Sequence, residues 1–184
     1  MSINPIPAGF HTLAPNMIVK SVDAAVSFYK RAFGAEEIMR LSMPDGKVVH
    51  CELKFGDSRL NLGESMEGWP EHTLLAQIFV ADSDAVFAQA VKAGAEVLSP
   101  MTDMFFGSRE GRVLDPFGST WMISTHKENV SVEERSKKCS SVSMHSPPER
   151  PSFNTRINHV ENDDEECWRL VEPAQIQNRL FFVD

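Results

Sequence analysis

Apolar and polar positions alternate with two different periods along residues 8–135, and the two periods predict strands and helices in a regular order. Residues 13–19 and 74–80 are short runs rich in β-branched and large apolar side chains, which is typical of strands. After the first run, apolar residues recur at helical spacing between Ser21, which has the side chain of a helix cap, and Gly34. The pattern therefore predicts a strand followed at once by a helix.

The second run is followed by the same arrangement, with Asp82 or Ser83 as the cap and Gly94 at the end of the helix. Three further strands are predicted after the first helix, because turn residues divide the chain there. These strands cover residues 37–43, 47–55 and 58–64, separated by Pro44-Asp45-Gly46 and Gly56-Asp57. The predicted order of elements is βαβββ.

An internal repeat shows that this unit occurs twice. Residues 16–41 return as residues 77–101, and residues 55–63 return as residues 116–124. We define module 1 as about residues 8–70 and module 2 as about residues 71–135. Each helix is expected to cover one face of its sheet, which leaves the other face for an equivalent face or a ligand. The predicted fold is α+β, with two tandem βαβββ modules forming a curved mixed sheet with a strand-lined cleft.

The composition changes near Arg135, and residues 136–184 are rich in Ser, Pro, Asn and acidic side chains. We predict that they form a polar tail that is largely disordered. No apolar run approaches the length of a membrane span, and the first residues lack a basic region followed by an apolar stretch. The cysteines Cys51, Cys139 and Cys167 have no zinc-binding or disulfide spacing. We expect a cytoplasmic protein that does not contact a membrane.

The charge of the chain argues against one class of partner. There are 18 basic and 26 acidic side chains, so the formal net charge is −8. A negative protein is repelled by phosphate backbones, and nucleic acid is therefore not expected to bind.

Three sequence stretches resemble the vicinal oxygen chelate superfamily of glyoxalases, bleomycin resistance proteins and dioxygenases, and within it the PhnB-like branch. They are FYKRAFGAEE (residues 28–37), the DPFG turn (residues 115–118) before an aromatic strand, and THKENVSVEE (residues 125–134). The resemblance covers about residues 8–135. It implies the paired-module fold, a cleft between modules, and subunits that pair as homodimers.

The resemblance also implies where a metal would bind, since enzymes of the superfamily take one ligand from the first and one from the last strand of each module. Counting along the motifs puts these four positions at Ala14, Asn61, Leu75 and Met122. None is a histidine or a carboxylate, so a divalent metal would find a single neutral amide oxygen. We therefore predict a metal-free member without a cofactor.

Other polar residues are candidates for a site. His50 and Glu52 share one strand face and are weak candidates for an acid and base pair. The candidate ligand-binding residues lie on the predicted strands or near the aromatic loop 104–107, and they are Asn16, Asn61, Gln77, Phe106, Arg109 and Met122. His11, His72 and Glu64 are the alternative metal ligands, displaced from the four positions above.

Three functions are compatible with these residues. The first is binding or sequestering a small molecule in a metal-free cleft, and we rank it first because the cavity is kept while the metal ligands are not. The second is a metal-dependent lyase, isomerase or dioxygenase that uses the displaced ligands. The third is a structural or interaction domain. The fold alone does not choose between them.

Overall fold

The structure, a computed structural model, describes residues 3–141, which lie within one compact unit of the chain. Its elements follow the predicted order twice and end with a third helix. The elements of module 1 are β1 (Asn16–Val19), α1 (Val22–Phe33), β2 (Glu36–Ser42), β3 (Val48–Phe55) and β4 (Ser58–Glu64). Those that follow are β5 (Leu75–Phe79), α2 (Ser83–Ala93), β6 (Glu96–Asp103), β7 (Ser108–Leu114), β8 (Thr120–His126) and α3 (Val132–Ser141).

Each module forms its own four-stranded mixed sheet, and the two sheets have the same topology. The strand order is β1-β4-β3-β2 in module 1 and β5-β8-β7-β6 in module 2. In both sheets the first strand runs parallel to the last, and the other neighbours are antiparallel. The predicted α+β fold with two βαβββ modules is confirmed, as two separate sheets.

The helix ends are fixed by the residues that the sequence indicated. The Ser21 side chain accepts a hydrogen bond from the backbone amide of Ala24, and Gly34 ends α1 with a left-handed φ of 66°. Of the two caps considered for α2, Asp82 is the one whose side chain accepts, and Gly94 ends that helix with a φ of 116°. Only glycine takes such a conformation easily, so the chain leaves each helix at a defined point.

The main core lies between the helices and the sheets, and it continues from module 1 into module 2. Tyr29 of α1 is fully buried in this core. The aromatic rings within about 6 Å of its ring are those of Phe28, Phe33, Phe55, Phe117 and Trp121. Phe117 and Trp121 come from module 2, so the packing of these rings joins the two modules.

A third helix, α3, crosses the predicted start of the tail at residue 136. Residues 142–184 lie outside the described residues, and so does most of the segment predicted to be disordered. Within residues 3–141, the helices are all too short or too polar to cross a lipid bilayer.

Candidate functional site

The strands of module 1 point alternate side chains toward α1 and toward the opposite face of the sheet, which we call the open face. On β4, Leu60 and Leu62 are buried in the core, whereas Arg59 and Asn61 point to the open face. The neighbouring strands add Asn16 and Ile18 from β1 and His50 and Glu52 from β3. The open face of module 1 thus carries four of the polar side chains that the sequence indicated, namely Asn16, His50, Glu52 and Asn61.

A cavity of about 920 Å³ lies on this face. Its floor includes Ile18, His50 and Gly63, and one wall is the connection after β4, residues 65–72. Most of its lining is apolar, and the polar side chains that reach it are Asn16, His50, Glu64 and His72. A large apolar cavity with a few polar groups is typical of a small-molecule site.

Backbone hydrogen bonds hold the wall of the cavity in place. Ile18 and His72 exchange two of them, at 3.2 Å from the Ile18 amide and 2.9 Å from the His72 amide. Met66 and Trp69 also exchange two, at 3.0 and 2.9 Å, which closes a tight turn. Trp69 is exposed and lines the cavity, so its ring presents a flat apolar surface at the entrance.

The carboxylate of Glu64, an alternative metal ligand, accepts hydrogen bonds from backbone amides with both oxygens. Its Oε1 accepts from the amide of Val22 at 3.1 Å, and its Oε2 accepts from the amide of Val48 at 3.0 Å. A carboxylate at the first turn of a helix also interacts favourably with the helix dipole. Glu64 therefore ties α1, β3 and β4 together at the edge of the cavity.

His50 and Glu52 are brought together as the alternation predicted. His50 Nε2 lies 3.4 Å from Glu52 Oε1. The other Glu52 oxygen is 3.7 Å from Nη1 of Arg59, a residue that the sequence reasoning did not single out. Its alternation with Asn61 on β4 was the available signal. The three side chains form a polar row that begins at the cavity with His50.

The four positions where the superfamily implies metal ligands do not form a donor set. The side chain of Ala14 has no donor atom, and that of Leu75 is apolar and exposed. Met122 contributes a thioether, and Asn61 one amide oxygen, which is buried and has no hydrogen-bond partner in the part of the chain that the structure describes. Divalent metals in proteins need several oxygen, imidazole or thiolate ligands. The residues present do not fit a metal.

The register places four of the six predicted ligand-binding residues in two pairs. Asn16 is the neighbour of Asn61 between β1 and β4, and Gln77 is the neighbour of Met122 between β5 and β8. The first pair lies on the open face of module 1 and the second on the corresponding face of module 2. Within one chain the candidates are therefore divided between two sheets.

The two histidines considered as displaced ligands lie at different kinds of position. His11 Nε2 is 3.2 Å from the carbonyl oxygen of Asp57, whereas His72 lies in the wall of the cavity. Across residues 3–141, no three His, Cys, Asp or Glu side chains are grouped in a way that could hold a metal ion.

Module 2 has a buried carboxylate on its open face that the sequence reasoning missed. Glu110 is 6% exposed, and its Oε2 accepts from Gln77 Nε2 and from Ser124 Oγ, each at 3.0 Å. Arg112 lies 3.4 Å from the other oxygen. The signal was the alternation of Glu110 and Arg112 on a strand, the same one that pointed to His50 and Glu52. The Gln77 amide is thus held by this network.

Arg109 and Phe106 lie elsewhere. The Arg109 guanidinium faces α2, where its Nε and Nη2 donate to the two carboxylate oxygens of Asp84 at 2.6 and 2.7 Å. This bidentate contact lowers the pKa of Asp84 and raises that of Arg109. Phe106 packs edge-on against Phe105, with 5.3 Å between ring centroids. Neither residue lines the cavity of module 1.

Known proteins are similar to this chain in sequence and in fold. The model of the Glyoxalase/Bleomycin resistance protein/Dioxygenase superfamily matches residues 9–123. An uncharacterized protein from Mycobacterium bovis is 32% identical over 148 residues, which covers 73% of this chain and 93% of that protein. The chain belongs to the glyoxalase/bleomycin resistance protein/dioxygenase superfamily, as the motifs had indicated.

Solved structures agree with this assignment at the level of the fold. TioX from Micromonospora sp. ML1 is similar with a TM-score of 0.56 and 23% identity, covering 63% of this chain and 98% of that one. A family enzyme from Burkholderia phytofirmans has a TM-score of 0.52 and 19% identity, covering 61% and 96%. Identities this low support the shared fold only.

Proposed function

We propose that the protein binds or sequesters a small molecule in the cavity of module 1 without a metal. The observation that carries the proposal is the cavity of about 920 Å³, whose lining is mostly apolar. Apolar walls and Trp69 suit a ring or a hydrocarbon portion of the ligand. Asn16, His50 and His72 supply hydrogen-bonding groups that orient it.

Filling the cavity tests this proposal. Asn16 is exposed and lines the cavity, so the substitution Asn16→Trp adds a large ring there without removing a buried side chain. Compounds found in a thermal-shift screen of the wild-type protein are expected to bind Asn16→Trp at least about tenfold more weakly, because the ring occupies their place. Calorimetric titration measures both affinities.

The matched control places the same ring just outside the cavity. Lys20 follows β1 and its side chain is 84% exposed, so Lys20→Trp is expected to leave the affinity unchanged. Equal affinities for wild type and Asn16→Trp would place the ligand elsewhere and refute the proposed site.

We also propose that the chain forms a homodimer in which the open faces of the sheets are covered. Leu75 and Phe79 are 68% and 66% exposed on the open face of module 2, at alternate positions of β5. Large exposed apolar side chains that cluster on one face favour association.

The Phe79→Asp substitution tests this proposal, and it is expected to convert dimer to monomer in light scattering. The control is Val132→Asp on α3, where Val132 is 72% exposed, and it is expected to leave the dimer intact. A wild-type monomer would contradict this proposal.

Two further proposals, on the branch of the superfamily and on the location of the protein in the cell, rest on the sequence. We place the chain in the PhnB-like branch on the FYKRAFGAEE and DPFG motifs. A cytoplasmic location is supported by three cysteines that lack a disulfide or zinc spacing.

A further inference from the structure

Residues 3–15, which precede β1, cover one end of the open face of module 1. The carbonyl oxygen of Gly9 accepts a hydrogen bond from Arg59 Nε at 3.3 Å. The Phe10 ring lies next to the same guanidinium, with 5.7 Å between its centroid and Cζ. With this cover the Arg59 side chain is only 13% exposed. The covering segment is itself largely exposed. Besides Arg59, its contacts with module 1 include those of His11 Nε2 with the carbonyl oxygen of Asp57 at 3.2 Å and of the Pro15 carbonyl oxygen with the Asn61 amide at 3.0 Å.

Two buried polar atoms at this end of the face, Arg59 Nη1 and Asn61 Oδ1, have no hydrogen-bond partner within residues 3–141. Nη1 is 3.7 Å from Glu52 Oε2, which is too far for a hydrogen bond. Glu52 is also the cross-strand neighbour of Asn61, so Arg59 and Asn61 both adjoin Glu52 on the open face. Buried polar atoms are nearly always paired, and leaving them unpaired is unfavourable. Among the described residues, Arg59 Nη1 thus has an ion pair but no hydrogen-bond acceptor, and Asn61 Oδ1 has no hydrogen-bond donor.

The chemistry of the missing partner follows from these two atoms. Arg59 needs an acceptor and Asn61 needs a donor, and a carboxamide carries both on one carbon atom. A carboxylate has no donor, and the negative charge of Glu52 beside Arg59 Nη1 repels it. A peptide group already occupies the Nε side of Arg59, since the Gly9 carbonyl accepts there.

We propose that Arg59 and Asn61 form a subsite for a carboxamide group of the ligand, and that Gly9 and Phe10 cover it until the ligand displaces them. This inference rests on the proposed function, because the rest of the ligand lies in the cavity. His50 connects the two places, since it lines the cavity and lies 3.4 Å from Glu52.

A substitution at Gly9 tests whether this segment covers Arg59. Its φ is +82°, and a Cβ atom at this position would lie 2.6 Å from Arg59 Nη2. Gly9→Ala is therefore expected to break the contacts of Gly9 and Phe10 with the Arg59 guanidinium. Removing a competing contact raises the apparent affinity for a ligand, because more of the protein is ready to bind it.

The experiment is an NMR titration with benzamide and with benzoate, two compounds of the same shape. Benzamide is expected to bind more tightly than benzoate and to shift the Arg59 Nε–H signal and the signals of Gly9 and Phe10. Gly9→Ala is expected to bind benzamide about fivefold more tightly, and Arg59→Met about tenfold more weakly. The control is Gly46→Ala, since Gly46 has a φ of +90° but no atom within 4 Å of an added Cβ, and its affinity should match wild type.

A second variant keeps the test informative if Arg59→Met does not fold. Asn61→Leu removes the unpaired acceptor at similar volume, so it is expected to raise the melting temperature and to weaken benzamide binding. A lower melting temperature, together with a fixed water bridging Arg59 and Asn61 in a crystal structure, would assign the two atoms to water and overturn the subsite.

The remaining outcomes separate the subsite from the cavity. Benzoate binding as tightly as benzamide would overturn the carboxamide assignment, and an unchanged affinity in Gly9→Ala would overturn the role of Gly9 and Phe10. Benzamide binding that is lost in Asn16→Trp but kept in Arg59→Met would retain the cavity and overturn the subsite. A compound screen without any ligand for the cavity would overturn the proposed function itself.

Discussion

Replacing Asp115 with alanine is expected to lower the free energy of unfolding by on the order of 4 kcal/mol. Asp115 is 3% exposed and accepts four hydrogen bonds. One oxygen accepts from the Tyr29 hydroxyl at 2.7 Å and the Trp121 indole at 2.8 Å. The other accepts from the backbone amides of Phe117 and Ser119 at 2.9 and 2.8 Å. The alanine variant leaves these four donors without their partner.

Denaturant unfolding monitored by circular dichroism measures the change. Asp115→Asn keeps one acceptor oxygen and is expected to lose less than Asp115→Ala. The control is Asp45→Ala, because the exposed side chain of Asp45 accepts a single hydrogen bond from the described residues, that of the Lys47 backbone amide at 3.0 Å. Its loss should cost less than about 1 kcal/mol. Similar losses for Asp45→Ala and Asp115→Ala would show that the buried network does not join the modules as described.

Tyr29 is expected to keep its proton in the folded protein well above pH 10, the usual pKa of a tyrosine. Burial raises its pKa, and the charge of Asp115, which accepts its hydrogen bond, raises it further. Tyr29 is the single tyrosine of the chain, so the ultraviolet absorbance of tyrosinate reports this residue alone. We expect no tyrosinate signal until the protein unfolds.

The same shift makes the stability depend on alkaline pH. The folded pKa of Tyr29 is above the unfolded value, so its contribution is complete below about pH 10 and decreases as the pH rises, by about 1.4 kcal/mol per pH unit. Tyr29→Phe is expected to lack this part of the slope when unfolding is measured at several pH values. Tyrosinate absorbance that rises near pH 10 with native circular dichroism would contradict the burial of this hydroxyl.

The sequence predicted the fold well because its signals are local and occur twice. Each element has its own signal: alternation marks the strands, Ser21 marks the start of a helix, and a glycine marks the end of each helix. Because the unit is repeated, the elements predicted in one module can be compared with those of the other. The sequence left Asp82 and Ser83 open as caps, because both side chains accept hydrogen bonds at such a position. The structure resolves this through the contact of Asp82 with the amide of Ala85.

The site was less predictable because it depends on contacts between distant segments. Periodicity puts Arg59 and Asn61 on one face, but their cover by Gly9, some fifty residues away, needs the folded chain. Alternation on its strand was a local signal for Glu110, but its hydrogen bond with Gln77, which comes from another strand, also needs the folded chain. The DPFG turn was predicted as a turn, while the contact of its Asp115 with Tyr29 of the other module was not.

The contact of Arg109 with Asp84 shows a further limit of sequence reasoning. An arginine after an aromatic loop predicts a ligand contact as readily as an ion pair, since both need only an accessible guanidinium. The face of the strand on which the arginine lies determines which contact it makes, and Arg109 lies on the face toward α2.

The claim that this member of the superfamily binds its ligand without a metal is tested most directly by one titration. A compound from the screen is titrated into chelator-treated protein, and again after addition of Mn²⁺, Fe²⁺, Ni²⁺ or Zn²⁺, with thermal melts of each sample. We predict the same affinity in every sample and no rise in melting temperature from a metal alone, because Ala14, Asn61, Leu75 and Met122 offer no metal site. Binding that requires a metal, or a metal-dependent rise in melting temperature that His11→Ala and His72→Ala abolish, would contradict the claim and favour a metal-dependent enzyme.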